Sequence, residues 1–134
     1  EWEKVITPLD TCGDIVLDGD HFALIKEAAV REGPDSPAGI CIANHDAWFR
    51  AITNGAPIKK MDPSKQSSIL YDLVAIYLGF AEAWLEMEEL EIKITPDGKT
   101  LEEHGGDTVR CAMNWKNRPA FLDMVTRRLT EPAA

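Results

Sequence analysis

Residues 62–94, DPSKQSSILYDLVAIYLGFAEAWLEMEELEIKI, form the stretch on which the fold turns. Asp62 at an N-cap with Pro63 at the first helical position is a favourable start, because proline's missing N–H is one of the donors a helix start leaves unbonded. Apolar residues then recur at 69, 70, 73, 74, 77, 80, 81, 84 and 85, close to the helical period. The spacing predicts one helix from Asp62 to about residue 89, roughly 40 Å long at 1.5 Å per residue. That length exceeds the width of a small domain, so the helix end projects or packs along a partner. From Leu90 the period changes. Leu90, Ile92 and Ile94 alternate and Pro96-Asp97-Gly98 supplies turn chemistry, which predicts a hairpin.

Downstream, Val109, Cys111, Met113 and Trp115 alternate and predict a half-buried strand. Pro119 opens a last helix with Phe121, Leu122, Val125 and Leu129 on its apolar face, and Pro132 stops it. Upstream, residues 3–9 (EKVITPL) read as a strand cut short by Pro8, and residues 13–19 (GDIVLDG) as a second strand. Asp20 then caps a helix that places Phe22, Ile25, Ala28 and Ala29 on one face and ends at Gly33. Residues 39–43 (GICIA) read as a short buried strand. After it Asn44 caps a helix through Thr53, ended by Asn54-Gly55.

The expected class is α+β, a small antiparallel sheet packed on a long central helix with two or three shorter helices. Strands and helices do not alternate regularly, which disfavours a doubly wound parallel sheet. The loops at 33–39 and 54–63 are short, so residues 1–134 read as a single compact domain without a linker.

With 134 residues, 45% of them apolar, the chain can bury a core without a metal or a disulfide. Its formal net charge of -9 opposes direct nucleic-acid binding and docking on an anionic membrane. The charge is uneven: residues 109–134 are net basic, with Arg110, Lys116, Arg118, Arg127 and Arg128 against Asp123 and Glu131. Cys12, Cys41 and Cys111 are an odd, scattered set, which points to reduced thiols in a cytoplasmic protein. No signal peptide is visible, and the most apolar run, residues 69–85, contains Asp72 and Glu82 and is too short for a membrane span.

Reactive residues are few. In residues 41–50, CIANHDAWFR, each side chain has an ordinary task except His45. Cys41 is a small buried hydrophobe, Asn44 a cap, Asp46 a first-turn acid, and Trp48, Phe49 and Ile52 an apolar face. An alternative, a small enzyme or metal protein, would draw on Cys12, His21, His45 and Asp46. No CxxC, HxH or HExxH spacing supports it, and no cofactor is implied. From Asp14, a calcium-loop register has Gly19 sixth, but Val16 third and Ile25 twelfth, so it fails.

One segment accepts an electrostatic cost. Residues 66–92 hold Asp72, Glu82, Glu86, Glu88, Glu89 and Glu91 and no lysine or arginine. Helices ordinarily mix charge signs, because like charges four apart repel. Either the basic C-terminal segment supplies the cations, or this is an acidic helix face that docks on a basic surface of another protein. The second alternative gives a non-enzymatic interaction module of the inhibitor, immunity or accessory type. It would bind through Glu82, Glu86, Glu88, Glu89 and Glu91 with Trp84 as an anchor. Trp2 and the long helix make a second copy of the chain a further candidate partner.

Overall fold

The computed structural model describes residues 2–53 and 61–131. In chain order its elements are β1 (Val5–Ile6), α1 (Leu9–Cys12), α2 (Gly19–Glu32), α3 (Pro37–Thr53), α4 (Tyr71–Leu78), β2 (Leu85–Ile94), β3 (Thr100–Glu102), β4 (Asp107–Trp115) and α5 (Arg118–Thr130). The fold is α+β, as the sequence reads. Two compact units form, each from separated stretches: Glu1–Asp14 with Leu70–Asn117, and Ile15–Ile69 with Arg118–Ala134.

The first unit carries a four-stranded sheet in the order β1-β4-β2-β3. The β2–β4 and β2–β3 pairs are antiparallel, but β1 runs parallel to β4, so the sheet is mixed rather than wholly antiparallel. Pro8 limits β1 as expected and stands at the N-cap of α1. Two bonds pin α1 to β4: the Thr11 hydroxyl donates to the Met113 carbonyl at 2.9 Å, and the Trp115 indole N–H donates to the Thr11 carbonyl at 2.9 Å. The β2–β3 hairpin turns where Pro96-Asp97-Gly98 predicts, with Gly98 at φ 83° and the Thr95 N–H bonded to the Lys99 carbonyl. Cys12, Val74, Tyr77, Leu85, Val109 and Cys111 are buried in this unit.

The second unit consists of α2, α3 and α5. Phe22, Ile25 and Ala28 face inward on α2, as their spacing requires, and Phe121 and Val125 do so on α5. Ile15 and Leu17 are buried too, but residues 13–19 form no strand. Only Asp18 makes a bridge, with Gln66, so the segment lacks a partner ladder. The predicted strand at 39–43 is also absent, because α3 runs through it from Pro37. Its inward stripe contains Ala38 and His45. Trp48 and Ile52, three and seven residues on from His45, are nonetheless exposed, contrary to the expected buried apolar face, and Phe49 is half-buried. The expected stops at Asn54-Gly55 and Pro132 lie outside the described residues.

The long central helix is matched only roughly, because helix is confined to Tyr71–Leu78. At Asp62 a single turn forms. Its carboxylate accepts the Ser64 N–H at 3.0 Å, and its carbonyl accepts the Lys65 and Gln66 N–H groups at 3.0 and 3.2 Å. Ser67 then draws the chain away: its hydroxyl accepts the Leu17 N–H at 3.0 Å, and its own N–H donates to the Leu17 carbonyl at 2.8 Å. A serine that bonds backbone in this way competes with the helix ladder. At the other end Gly79 stops α4, its N–H bonded to the Ile76 and Tyr77 carbonyls.

Beyond that stop Glu82 precedes β2, and Glu86, Glu88, Glu89 and Glu91 are strand residues. A helix would stack Glu82 and Glu86 without a cation between them, whereas the strand sets Glu89 opposite Arg110 on β4.

Candidate interaction surface

The acidic segment is thus a strand edge and not a helix face. Successive strand residues point to opposite sides, so Glu89 and Glu91 share one side with Met87, while Glu86 and Glu88 share the other with Leu90. Four of the five acids are thus divided between two surfaces, and Glu82 precedes the strand.

Their charges are unequally compensated. Arg110, from the basic C-terminal segment, bridges Glu82 and Glu3, the latter at 2.8 Å. Glu91 accepts the Gly105 N–H at 2.5 Å and lies 2.9 Å from the His104 ring nitrogen. The internal neutralisation foreseen for this segment therefore reaches Glu82. Glu86, Glu88 and Glu89 are exposed, and among the described residues no ion pair joins them to a cation. Beside Glu89 lies an open depression of about 500 Å³ bordered by Trp2, Lys4, Thr108 and Arg110, and Trp2 itself is 93% exposed.

Trp84 is half-buried and stacked on Tyr77, with ring centroids 5.3 Å apart and planes 1° from parallel. Its carbonyl accepts the Lys116 N–H at 2.8 Å. The residue anchors the start of β2 within its own unit.

The backbone along β2 carries a feature that the side-chain pattern does not reveal. Glu91 accepts the Glu103 N–H at 2.9 Å, so odd-numbered residues of β2 aim their N–H and C=O groups toward the β3 side. Trp84 accepts Lys116 on the β4 side, as an even-numbered residue should. But β3 pairs only with Ile92, Lys93 and Ile94. Met87 and Glu89 therefore direct backbone donors and acceptors past the end of β3. The alternation in LEMEEL could have revealed this strand, but the helical run before it dominates the reading.

Of the residues of the enzyme alternative, Cys12 belongs to the first unit and His21, His45 and Asp46 to the second. Cys12 is buried in the first unit, at the end of α1. His21, on α2, bonds the Thr126 hydroxyl at 2.9 Å and lies 3.7 Å from the Asp123 carboxylate, both on α5. Thr126 is buried, so this pair clamps two helices rather than presenting a nucleophile.

His45, 8% exposed, lies four residues after Cys41 on the continuous helix α3. Its Nε2 donates to the Pro63 carbonyl at 3.1 Å, its ring packs edge-on against Phe22, and its Nδ1 has no partner among the described residues. A proton on Nε2 leaves a bare, buried Nδ1 lone pair. Asp46 is exposed and no hydrogen bond joins it to His45. Among the described residues no group of histidine, cysteine and acidic side chains could hold a metal ion. No helix there is long and apolar enough to cross a membrane.

Burial pushes the Cys41 thiol up, and burial together with Glu102 and Glu88 pushes Cys111 up. Thiols held in their protonated form are poor nucleophiles. In mildly alkaline buffer Cys41, half-exposed, should react slowly with a disulfide reagent. Cys12 and Cys111 should react only on unfolding. Rapid modification of all three native thiols would contradict this burial.

No protein-family model, no curated protein and no solved structure matches this chain.

Proposed function

We propose that this chain is a non-enzymatic protein-interaction module whose acidic β2 segment docks on a basic surface of another protein. One observation carries the reading: Glu86, Glu88 and Glu89 stand exposed on β2, and among the described residues no ion pair joins them to a cation. Keeping like charges close together is unfavourable in the isolated chain, and a positively charged partner relieves it. The net charge of -9 adds long-range attraction for such a partner and repels nucleic acid. A small inhibitor, immunity or accessory protein is a role of this kind.

The test uses fluorescence anisotropy with short peptides of graded net charge. Affinity should rise with positive charge and fall as salt is added. The triple variant Glu86→Lys, Glu88→Lys, Glu89→Lys should lose this binding while keeping the parent circular dichroism, since all three side chains are exposed. Binding that ignores peptide charge, or survives the triple substitution, would remove the proposal.

A further inference from the structure

An edge strand with unpaired N–H and C=O groups is a template for another strand, and natural proteins guard such edges with charge. The Leu85 N–H is bonded to the Glu82 carbonyl at 2.9 Å, so among the described residues the open part of β2 is Glu86–Leu90, roughly 17 Å at 3.3 Å per residue. Its charges are all of one sign. A second copy pairing here would oppose glutamate with glutamate, which is unfavourable for directly facing residues. The edge is thus closed to its own kind and open to a segment of opposite charge.

We infer that this edge accepts an extended, basic segment of the partner as an added strand, which bonds to the backbone of Met87 and Glu89. The inference rests on the docking reading above and specifies its mode. Main-chain hydrogen bonds then give affinity, and side chains at alternate positions give selectivity. Because Glu88 and Glu89 point to opposite sides of the sheet, one basic residue cannot serve both. The matching segment carries two adjacent lysines or arginines, one for each side, flanked by residues that favour the extended state. Half-buried Met87 lies on the Glu89 side and offers the incoming strand an apolar neighbour.

The probe is the blocked peptide Thr-Val-Lys-Arg-Val-Thr, compared with the same peptide N-methylated at alternate amides. Methylation preserves charge and removes the donors a paired strand needs. The unmodified peptide should slow hydrogen exchange at the Met87 and Glu89 amides, and the methylated one should bind at least about tenfold more weakly. Equal affinities with unchanged exchange at both amides would overturn strand addition and leave the charge-based docking standing. Strand addition fails equally if neither form binds while other basic peptides do. Loss of all charge dependence across the graded peptides would sink the docking reading itself, and the strand with it.

Discussion

Replacing Phe121 by alanine should lower stability by about 3–5 kcal/mol, read as a fall in the urea midpoint of the far-ultraviolet circular dichroism signal. Phe121 has 0% of its surface exposed and is the largest fully buried side chain among the described residues. It lies on the inward face of α5 with Val125, in the unit that also contains α2 and α3. Cutting the ring back to a methyl group loses its transfer free energy and leaves a cavity that the neighbouring helices fill only in part. A domain stabilised by about 5–15 kcal/mol can be brought close to unfolding by such a change. Phe121→Leu keeps more of the volume and should lose clearly less. A loss under about 1 kcal/mol for the alanine variant would mean that the site collapses freely, contrary to a packed core.

The second large effect has a sign opposite to helix propensity. Gly39 lies in the first turn of α3, where glycine to alanine ordinarily gains about 0.5–1 kcal/mol. Here a methyl group would meet the Gly33 carbonyl oxygen at 2.3 Å and the Pro34 Cα and carbonyl carbon at 2.9 Å. These are backbone atoms. They are held in place, because the Ser36 hydroxyl donates to the Gly33 carbonyl at 2.7 Å and accepts the Gly39 N–H at 3.0 Å. Overpacking of this kind costs about 1–3 kcal/mol and outweighs the propensity gain. Gly39→Ala should therefore unfold at lower urea than the parent protein. A stabilised variant would place the start of α3 away from the Gly33–Pro34 turn.

The sequence marks elements well where a local signal coincides with burial. The α2 face of Phe22, Ile25 and Ala28, the Asp97-Gly98 turn, and the α5 face of Phe121 and Val125 all stand where their periodicity puts them. It misleads where distant contacts outbid local preference. Ser67 exchanges two backbone-linked bonds with Leu17, fifty residues away, and no property of the run Ser67-Ser68 announces that partner. Residues 39–43 are apolar enough for a strand, but the strand has nothing to pair with and Gly39 fits a helix passing close to the Gly33 carbonyl. At the acidic segment the residues were identifiable and their arrangement was not. Glutamates at 82, 86 and 89 look like one ridge at helical spacing. On β2 the charges divide between two sides, and the open main-chain edge depends on how far β3 reaches.

The parallel pairing of β1 with β4 has a temporal side. Val5 and Ile6 lie beside Arg110 and Cys111 in the sheet, yet the ribosome releases them long before. At about 5–20 residues per second, the first strand waits roughly 5–20 s for its neighbour to be synthesised. During that interval β2 emerges without β4 beside it, so both of its edges are open at once. The glutamates on LEMEEL then act on the nascent chain, where their mutual repulsion discourages pairing between neighbouring copies on one messenger. The charge carried by this strand thus also guards the birth of the chain.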